Sequence, residues 1–162
     1  MGVLPEPIEE LLATALVGEL TVLDDEGRLV THPLIPFYDG ELIYLTSSVL
    51  FSRKLEYIKR DPRVAVAITD PTALTHPLPG RATIQGTAAI VEDDPHSTWE
   101  RVLPLWRATE PVIDRFLGQR FALPLFFERA IIAITPLRCL YWADGDTSRA
   151  PSESRPEAAE AA

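Results

Sequence analysis

Residues 38–70, YDGELIYLTSSVLFSRKLEYIKRDPRVAVAITD, decide the fold. The turn signal Tyr38-Asp39-Gly40 precedes the compact apolar run Leu42, Ile43, Tyr44 and Leu45, which predicts a buried strand. Thr46, Ser47 and Ser48 then bring three hydroxyls into one loop. Ser52 stands where an N-cap belongs, and Leu55 and Ile58 fall on one face of the segment after it, which predicts a short helix. That helix must stop near Arg60, because the residue before Pro62 is driven away from helical geometry. Val64–Thr69 predicts the next buried strand.

The charges of this stretch carry its chemistry. Arg53 and Lys54 occupy the first turn of the helix, the positive end of its dipole, where cations cost roughly 0.3–1 kcal/mol each. A phosphate placed there reverses the sign, since N–H groups, hydroxyls and two cations converge on one anion. The competing reading is a solvated basic turn balanced by Glu56 and Asp61. No Gly-rich run precedes the lysine, so this is not a Walker loop.

Outward toward the N-terminus, Pro5 and Pro7 open a helix with Ile8, Leu11, Leu12, Ala15 and Leu16 on one face, ended by Gly18. A strand at Glu19–Leu23, the turn Asp24-Asp25-Glu26-Gly27 and a partner strand at Arg28–Ile35 predict a hairpin. Pro33 places that second strand at an edge, at a bulge, or with its backbone turned toward something else. Toward the C-terminus, Asp70–Gly80 reads as a loop. In Arg81–Glu92, Ala82, Ile84, Gly86, Ala88 and Ile90 alternate with Arg81, Thr83, Gln85 and Thr87, the pattern of a half-buried strand. Residues 95–127 read as a helical insertion whose Trp99, Val102, Leu103 and Trp106 share a face, the pattern of core or of subunit contact. Arg129–Thr135 and Arg138–Trp142 predict the last strands, divided by Pro136. Residues 147–162 have almost nothing to bury and are expected to be a disordered tail. Seven β runs and about four helical segments predict one domain over 1–146, mainly β with flanking helices, closed as a small antiparallel barrel.

Composition bounds the function. At 162 residues, 46% apolar and 24% charged, the chain suits one soluble domain. A net charge of −9 argues against general affinity for nucleic acid or for an anionic membrane. No apolar run approaches the ~18 residues of a membrane span and no basic-then-apolar leader opens the chain, so a cytoplasmic location is expected. Cys139 is the only cysteine, which excludes an internal disulfide and predicts a small buried hydrophobe. His32, His76 and His96 lack ligand spacing, and no nucleophile elbow is present.

Taken in order, Gly27-Arg28, Pro33, Asp39-Gly40, Leu45-Thr46, Ser52-Arg53-Lys54, Asp61-Pro62-Arg63-Val64, Gln85-Gly86 and Ile134-Thr135-Pro136 with Tyr141-Trp142 resemble the pyridoxamine 5′-phosphate oxidase-like family of FMN-binding split barrels. The resemblance covers roughly residues 10–145. It implies a split, Greek-key-like antiparallel barrel, a homodimer with FMN in a groove between the subunits, and hydride transfer to or from a small substrate. By resemblance, Ser52, Arg53 and Lys54 hold the phosphate with Thr46 beside it, and Leu45 and Ser47 count among the cofactor-binding residues. The strand Thr31–Pro36, with Thr31, His32, Pro33 and Leu34 as its cofactor-binding residues, runs along the isoalloxazine edge with backbone contacts, Arg81 and Gln85 reach the same cofactor, and Trp142 closes the site from the partner chain. No catalytic acid or base and no metal is implied. The family's basic residues on the second strand are Thr31 and Pro36 here, and its Arg-x-His after the tryptophan reads Ala143-Asp144-Gly145-Asp146, so vitamin B6 oxidation is not expected. The alternatives are a deazaflavin-dependent reductase of the same fold, a non-catalytic flavin- or haem-binding protein, with His32 or His76 as the residue to watch, and a structural homodimer with an empty pocket.

Overall fold

A computed structural model describes residues 2–48, 52–70, 73–75, 78–92, 95–119 and 129–156. The elements run α1 (Glu6–Thr14), β1 (Gly18–Leu23), β2 (Leu29–Leu34), β3 (Phe37–Tyr38), β4 (Ile43–Ser48), α2 (Arg53–Arg60) and β5 (Arg63–Ile68). They continue through β6 (Arg81–Val91), α3 (Pro95–Thr109), α4 (Ile113–Leu117), β7 (Arg129–Trp142) and β8 (Ser152–Ser154). Among the described residues the strands form one antiparallel sheet in the order β2-β1-β5-β6-β7-β4-β3, with β8 added to β7.

That order explains the curl. β2 and β3 stand at opposite ends of the sheet, yet only Ile35 and Pro36 separate them in the chain. The sheet must therefore bend round until its two edges meet. In the β3–β4 ladder Phe37 faces Tyr44 and Tyr38 faces Ile43, and the same register carried backward sets Leu34 opposite Ser47. The ladder stops instead at Tyr44, because Pro36 has no N–H to continue it, and β2 pairs only through its other edge, with β1. The barrel is split along this line, and Pro33 lies on a terminal strand, where a proline is tolerated.

Alternation fills the inside. Ala82, Ile84 and Ala88 of β6 face Leu20, Val66 and Ile132 in the core, while Gln85 and Thr87 are exposed. Helix α2 is short, but Leu55 and Ile58 are almost fully buried in that core. At roughly 1.5–3 kcal/mol each, their burial fixes the helix where its propensity alone would not. Helix α1 ends at Thr14, earlier than the sequence predicts, and Gly18 instead opens β1.

Pro136 does not divide β7. The strand runs unbroken from Arg129 to Trp142, and the extra residue is absorbed by a bulge where Gln85 faces Arg138 but Gly86 faces Pro136. Leu137 is thrown outward at 47% exposure, and the alternation shifts by one. Ile132 and Ile134 point inward before the bulge and Cys139 after it. Burial pushes the Cys139 thiol up to about 11. The neutral thiol therefore contributes stability that is fully present below its ordinary value and is lost as pH rises through about 11. Cys139→Ala is expected to lower stability by about 1–2 kcal/mol without affecting cofactor binding, as read by urea denaturation and ligand titration.

Packing decides one expectation and corrects another. Of the two readings of the Trp99–Trp106 stripe, core and subunit contact, the structure shows core: both rings are buried within the chain, stacked 5.7 Å apart, and Trp106 lies 5.3 Å from Phe37. Helix α3 thus covers the outer face of β3 and β4, and it runs through Pro104. The tail is not structureless over its described part either. Ser152–Ser154 pairs with Cys139–Tyr141, on the β7 edge that β4 leaves uncovered, and Arg138 grips Glu153 at 2.7 and 2.8 Å. Residues 120–128 and 157–162 lie outside the described residues. Because the Arg138–Glu153 pair is exposed, deleting Thr147–Ala162 is expected to cost only about 1 kcal/mol in thermal unfolding and to leave cofactor affinity unchanged.

Candidate functional site

The strongest polar cluster lies at the split. Ser47, at the end of β4, shares the inward face with Ile43 and Leu45 and is itself buried. Ser52 stands just before α2, and its Oγ accepts a hydrogen bond from Ser47 Oγ at 2.7 Å. Lys54 Nζ donates to Ser47 Oγ at 3.0 Å and to Ser52 Oγ at 3.1 Å. Ser52 therefore occupies the N-cap position without capping, because its hydroxyl is drawn sideways into this trio. Arg53 is exposed beside them, and its side chain makes no hydrogen bond or ion pair among the described residues.

His32 completes the neighbourhood from β2. It alternates with exposed Thr31 and Pro33 and so shares the inner side with Val30 and Leu34, which pack on the core. Burial first, and the Lys54 ammonium second, hold its imidazole below the ordinary range. Its Nε2 is buried with no hydrogen-bond partner among the described residues.

The other expected residues divide clearly. Leu45 is fully buried, so only its backbone is available to a ligand. Thr46 alternates with Ser47 and shares the face of Tyr44, which α3 covers, so the two hydroxyls do not converge. Thr31 is exposed on the outer face, where its hydroxyl meets that of Thr21 at 2.9 Å, and Pro33 is on the same side. Leu34 packs inward. Gln85 is exposed on the outer face and accepts from Arg138 at 3.3 Å. Arg81 donates to the carbonyls of Pro79 and Gly80 and lies in register with Trp142, whose indole N–H donates to Arg149 of its own chain. Ser47 faces Ala130, and Trp142 is twelve residues further along β7, roughly 40 Å of strand. One chain does not bring Arg81 or Trp142 to the Ser47–Lys54 cluster. His76 lies outside the described residues.

Concavities among the described residues also escaped sequence reasoning, two of which bear on the sheet faces. One, of about 380 Å³ on the outer face of the sheet, is lined by Thr21, Leu29, Ala65, Gly86, Leu137 and Arg138, among others. Its walls come from strands far apart in sequence, and the only local signal is an apolar Leu137 beside Pro136. The other, of about 350 Å³, lies between α3 and the sheet, with Tyr44, Thr98 and Arg101 among its lining. There Asp39 receives Arg101 Nη2 and Tyr44 Oη, each at 2.9 Å. Burial raises the Asp39 carboxyl, but the Leu42 and Glu41 N–H groups, Tyr44 and Arg101 outweigh it and leave it below the usual carboxylate range. This cluster latches α3 onto the β3–β4 hairpin. Among the described residues no group of histidine, cysteine and acidic side chains is arranged to hold a metal ion, and no helix is long and apolar enough to cross a membrane.

No protein-family model matches the sequence, and no curated protein matches it. Solved structures do match. An F420 reductase is 24% identical, with a TM-score of 0.62, over 86% of this chain and 99% of that one. A Listeria innocua protein described as a candidate pyridoxamine 5′-phosphate oxidase is 25% identical, TM-score 0.60, over 84% of this chain and 95% of that one. A heme-binding protein from Mycobacterium smegmatis is 20% identical, TM-score 0.63, over 94% of this chain and 59% of that one. With its curled antiparallel sheet parted between β2 and β4, the chain has the flavin-binding split-barrel fold of the pyridoxamine 5′-phosphate oxidase-like proteins.

Proposed function

We propose that the protein is an FMN-dependent oxidoreductase that holds the cofactor phosphate at Lys54, Ser47, Ser52 and Arg53. The observation that carries this reading is the Lys54 ammonium fixed between two hydroxyls, 3.0 and 3.1 Å away, at the start of α2. An ammonium, a guanidinium, hydroxyls and a helix start form the donor set a phosphate requires. The residues fit the group. Bound FMN supplies the hydride chemistry, while this chain binds, orients and shields it. Helix α2 is anchored by Leu55 and Ile58, so the phosphate ligands are carried on a rigid element rather than a loose loop.

The absorption spectrum of freshly purified protein tests this. The expected result is a two-band yellow flavin spectrum, or its appearance on adding FMN to colourless protein. A Soret band would move the reading to haem, and protein that takes up neither would leave a structural role. A second reading, a deazaflavin coenzyme on the same phosphate ligands, draws support from the likeness to the F420 reductase. Room and charge beyond the phosphate separate the two, so competitive titration of FMN against the deazaflavin coenzyme decides between them.

We also propose that the working form is a homodimer. Leu29 at 74% exposure and Leu137 at 47% rim the 380 Å³ groove on the outer sheet face, an apolar patch that a second copy would cover. Sedimentation is expected to give a dimer for the parent and a monomer for the double variant Leu29→Glu, Leu137→Glu. A parent that is monomeric at micromolar concentration with cofactor bound rejects the proposal.

A further inference from the structure

Beside the Ser47–Ser52–Lys54 cluster one polar atom has no partner among the described residues, His32 Nε2, and it is buried. Nothing in the packing requires an imidazole there. Its neighbours on the inner side of β2 are Val30 and Leu34, and the residue opposite it on β1 is Leu20. A leucine or valine would fill such a place without stranding a nitrogen near a lysine. Continuing the β3–β4 register sets β2 opposite the end of β4, so His32 and Ser47 border the same split from its two sides.

We propose that His32 is a further ligand of the anion held at Lys54, donating from Nε2 as an imidazolium, so that a phosphate enters this site together with a proton. The inference rests on the cofactor reading above and names how that site recognises a phosphate and responds to pH. The charged surroundings are simple. From α2 the group whose field reaches the ring is Lys54. From β1 the residues on the same face are Gly18, Leu20 and Val22, none of which titrates, and Glu19 belongs to the opposite face by alternation. From β4 the carried register sets Ser47 opposite Leu34, two residues along from His32, so the inward-facing described residue nearest to it across the split is a serine, which does not titrate. β2 itself carries no other titratable group.

Burial first and the Lys54 ammonium second oppose protonation and favour the neutral ring. A phosphate bound to Lys54 cancels that field and offers an acceptor, which favours the imidazolium. The proton comes from solvent and goes to the ring, making both ring nitrogens donors, and no covalent bond of the cofactor changes. In the ligand-free protein the depressed His32 value acts in the other direction. Stability is full above its ordinary value near 6.5 and is lost as pH falls through the folded value.

The experiment compares the parent with His32→Asn, which keeps a hydrogen-bond donor and does not titrate. Calorimetric titration with FMN and with riboflavin at pH 6.5, in two buffers of different ionisation enthalpy, counts the protons taken up. The parent is expected to take up more protons on binding FMN than the variant does, and neither should take up any with riboflavin. Between pH 6 and pH 8 the preference for FMN over riboflavin should fall about tenfold further in the parent than in the variant. The second ionisation of the phosphate, near pH 6, is common to both proteins and cancels in the comparison. Equal proton counts and parallel pH profiles overturn the proposal while leaving the phosphate site standing. A parent that binds FMN no better than riboflavin defeats the cofactor reading itself. Should His32→Asn fail to fold, the parent's imidazole NMR titration decides alone: one of the three histidines must gain a higher midpoint on adding FMN, and none moving rejects the inference.

Discussion

Replacing Lys54 by alanine is expected to weaken FMN binding by about ten- to a hundredfold and to leave riboflavin binding nearly unchanged. A charge-assisted hydrogen bond is worth about 1.5–3 kcal/mol, and Lys54 is already held in place by Ser47 and Ser52, so little rotamer entropy remains to be lost when the phosphate arrives. Arg53→Ala is expected to fall at the lower end of the same range. That side chain is exposed and must be ordered on binding, which offsets part of its contact. Riboflavin lacks the phosphate and serves as the control, because a variant that had lost its fold would lose both ligands alike. Thermal stability of the ligand-free variants should change little, since each removes a cation from the positive end of the α2 dipole. Fluorescence titration of both ligands against both variants reads the result. If Lys54→Ala and Arg53→Ala bind FMN as tightly as the parent, the phosphate site at α2 is rejected and the proposed function with it.

The second large effect lies in the sheet. Gly86→Val is expected to destabilise the protein by about 3 kcal/mol, lowering its melting temperature by roughly 6–12 °C. A Cβ at Gly86 would sit 2.3 Å from the Thr135 carbonyl oxygen and 3.0 Å from an Ile134 methyl. The first of these neighbours is backbone and cannot swing away. Relief requires the β6–β7 ladder, the longest in the sheet, to open at its bulge, where Gly86 faces Pro136. Gly86 also lines the outer groove, so the variant is expected to weaken self-association together with stability. By contrast, Gly27→Ala has open space around it, and its cost comes only from the positive φ of 76°. A Gly86→Val protein that melted with the parent in scanning calorimetry would refute the bulge as described.

Local chemistry settled what lies close in sequence. The strand–hydroxyls–helix–strand order of residues 38–70 is visible because apolar runs, a proline and a basic turn are neighbours along the chain, and the structure places β4, α2 and β5 there. The inward face of β6 followed from alternation alone, since a strand turns successive side chains to opposite sides. The same alternation separates the hydroxyls that follow β4's apolar run. Thr46 and Ser47 are adjacent in sequence and for that reason lie on opposite faces. The pairing of β8 with β7 had no sequence signal, because it depends on an edge that exists only once β4 stops short and on an arginine fourteen residues upstream of Ser152. The parity change at Leu137 needed the partner strand as well: a proline reads as a break until the register shows which residue is extra. In the sequence His32 stood out only through the family resemblance, as a strand residue at the cofactor edge and as a histidine to watch for haem. That its Nε2 is buried beside Lys54 is decided by the closing of the sheet, which brings β2 back to α2 and leaves the split open where Pro36 ends the ladder.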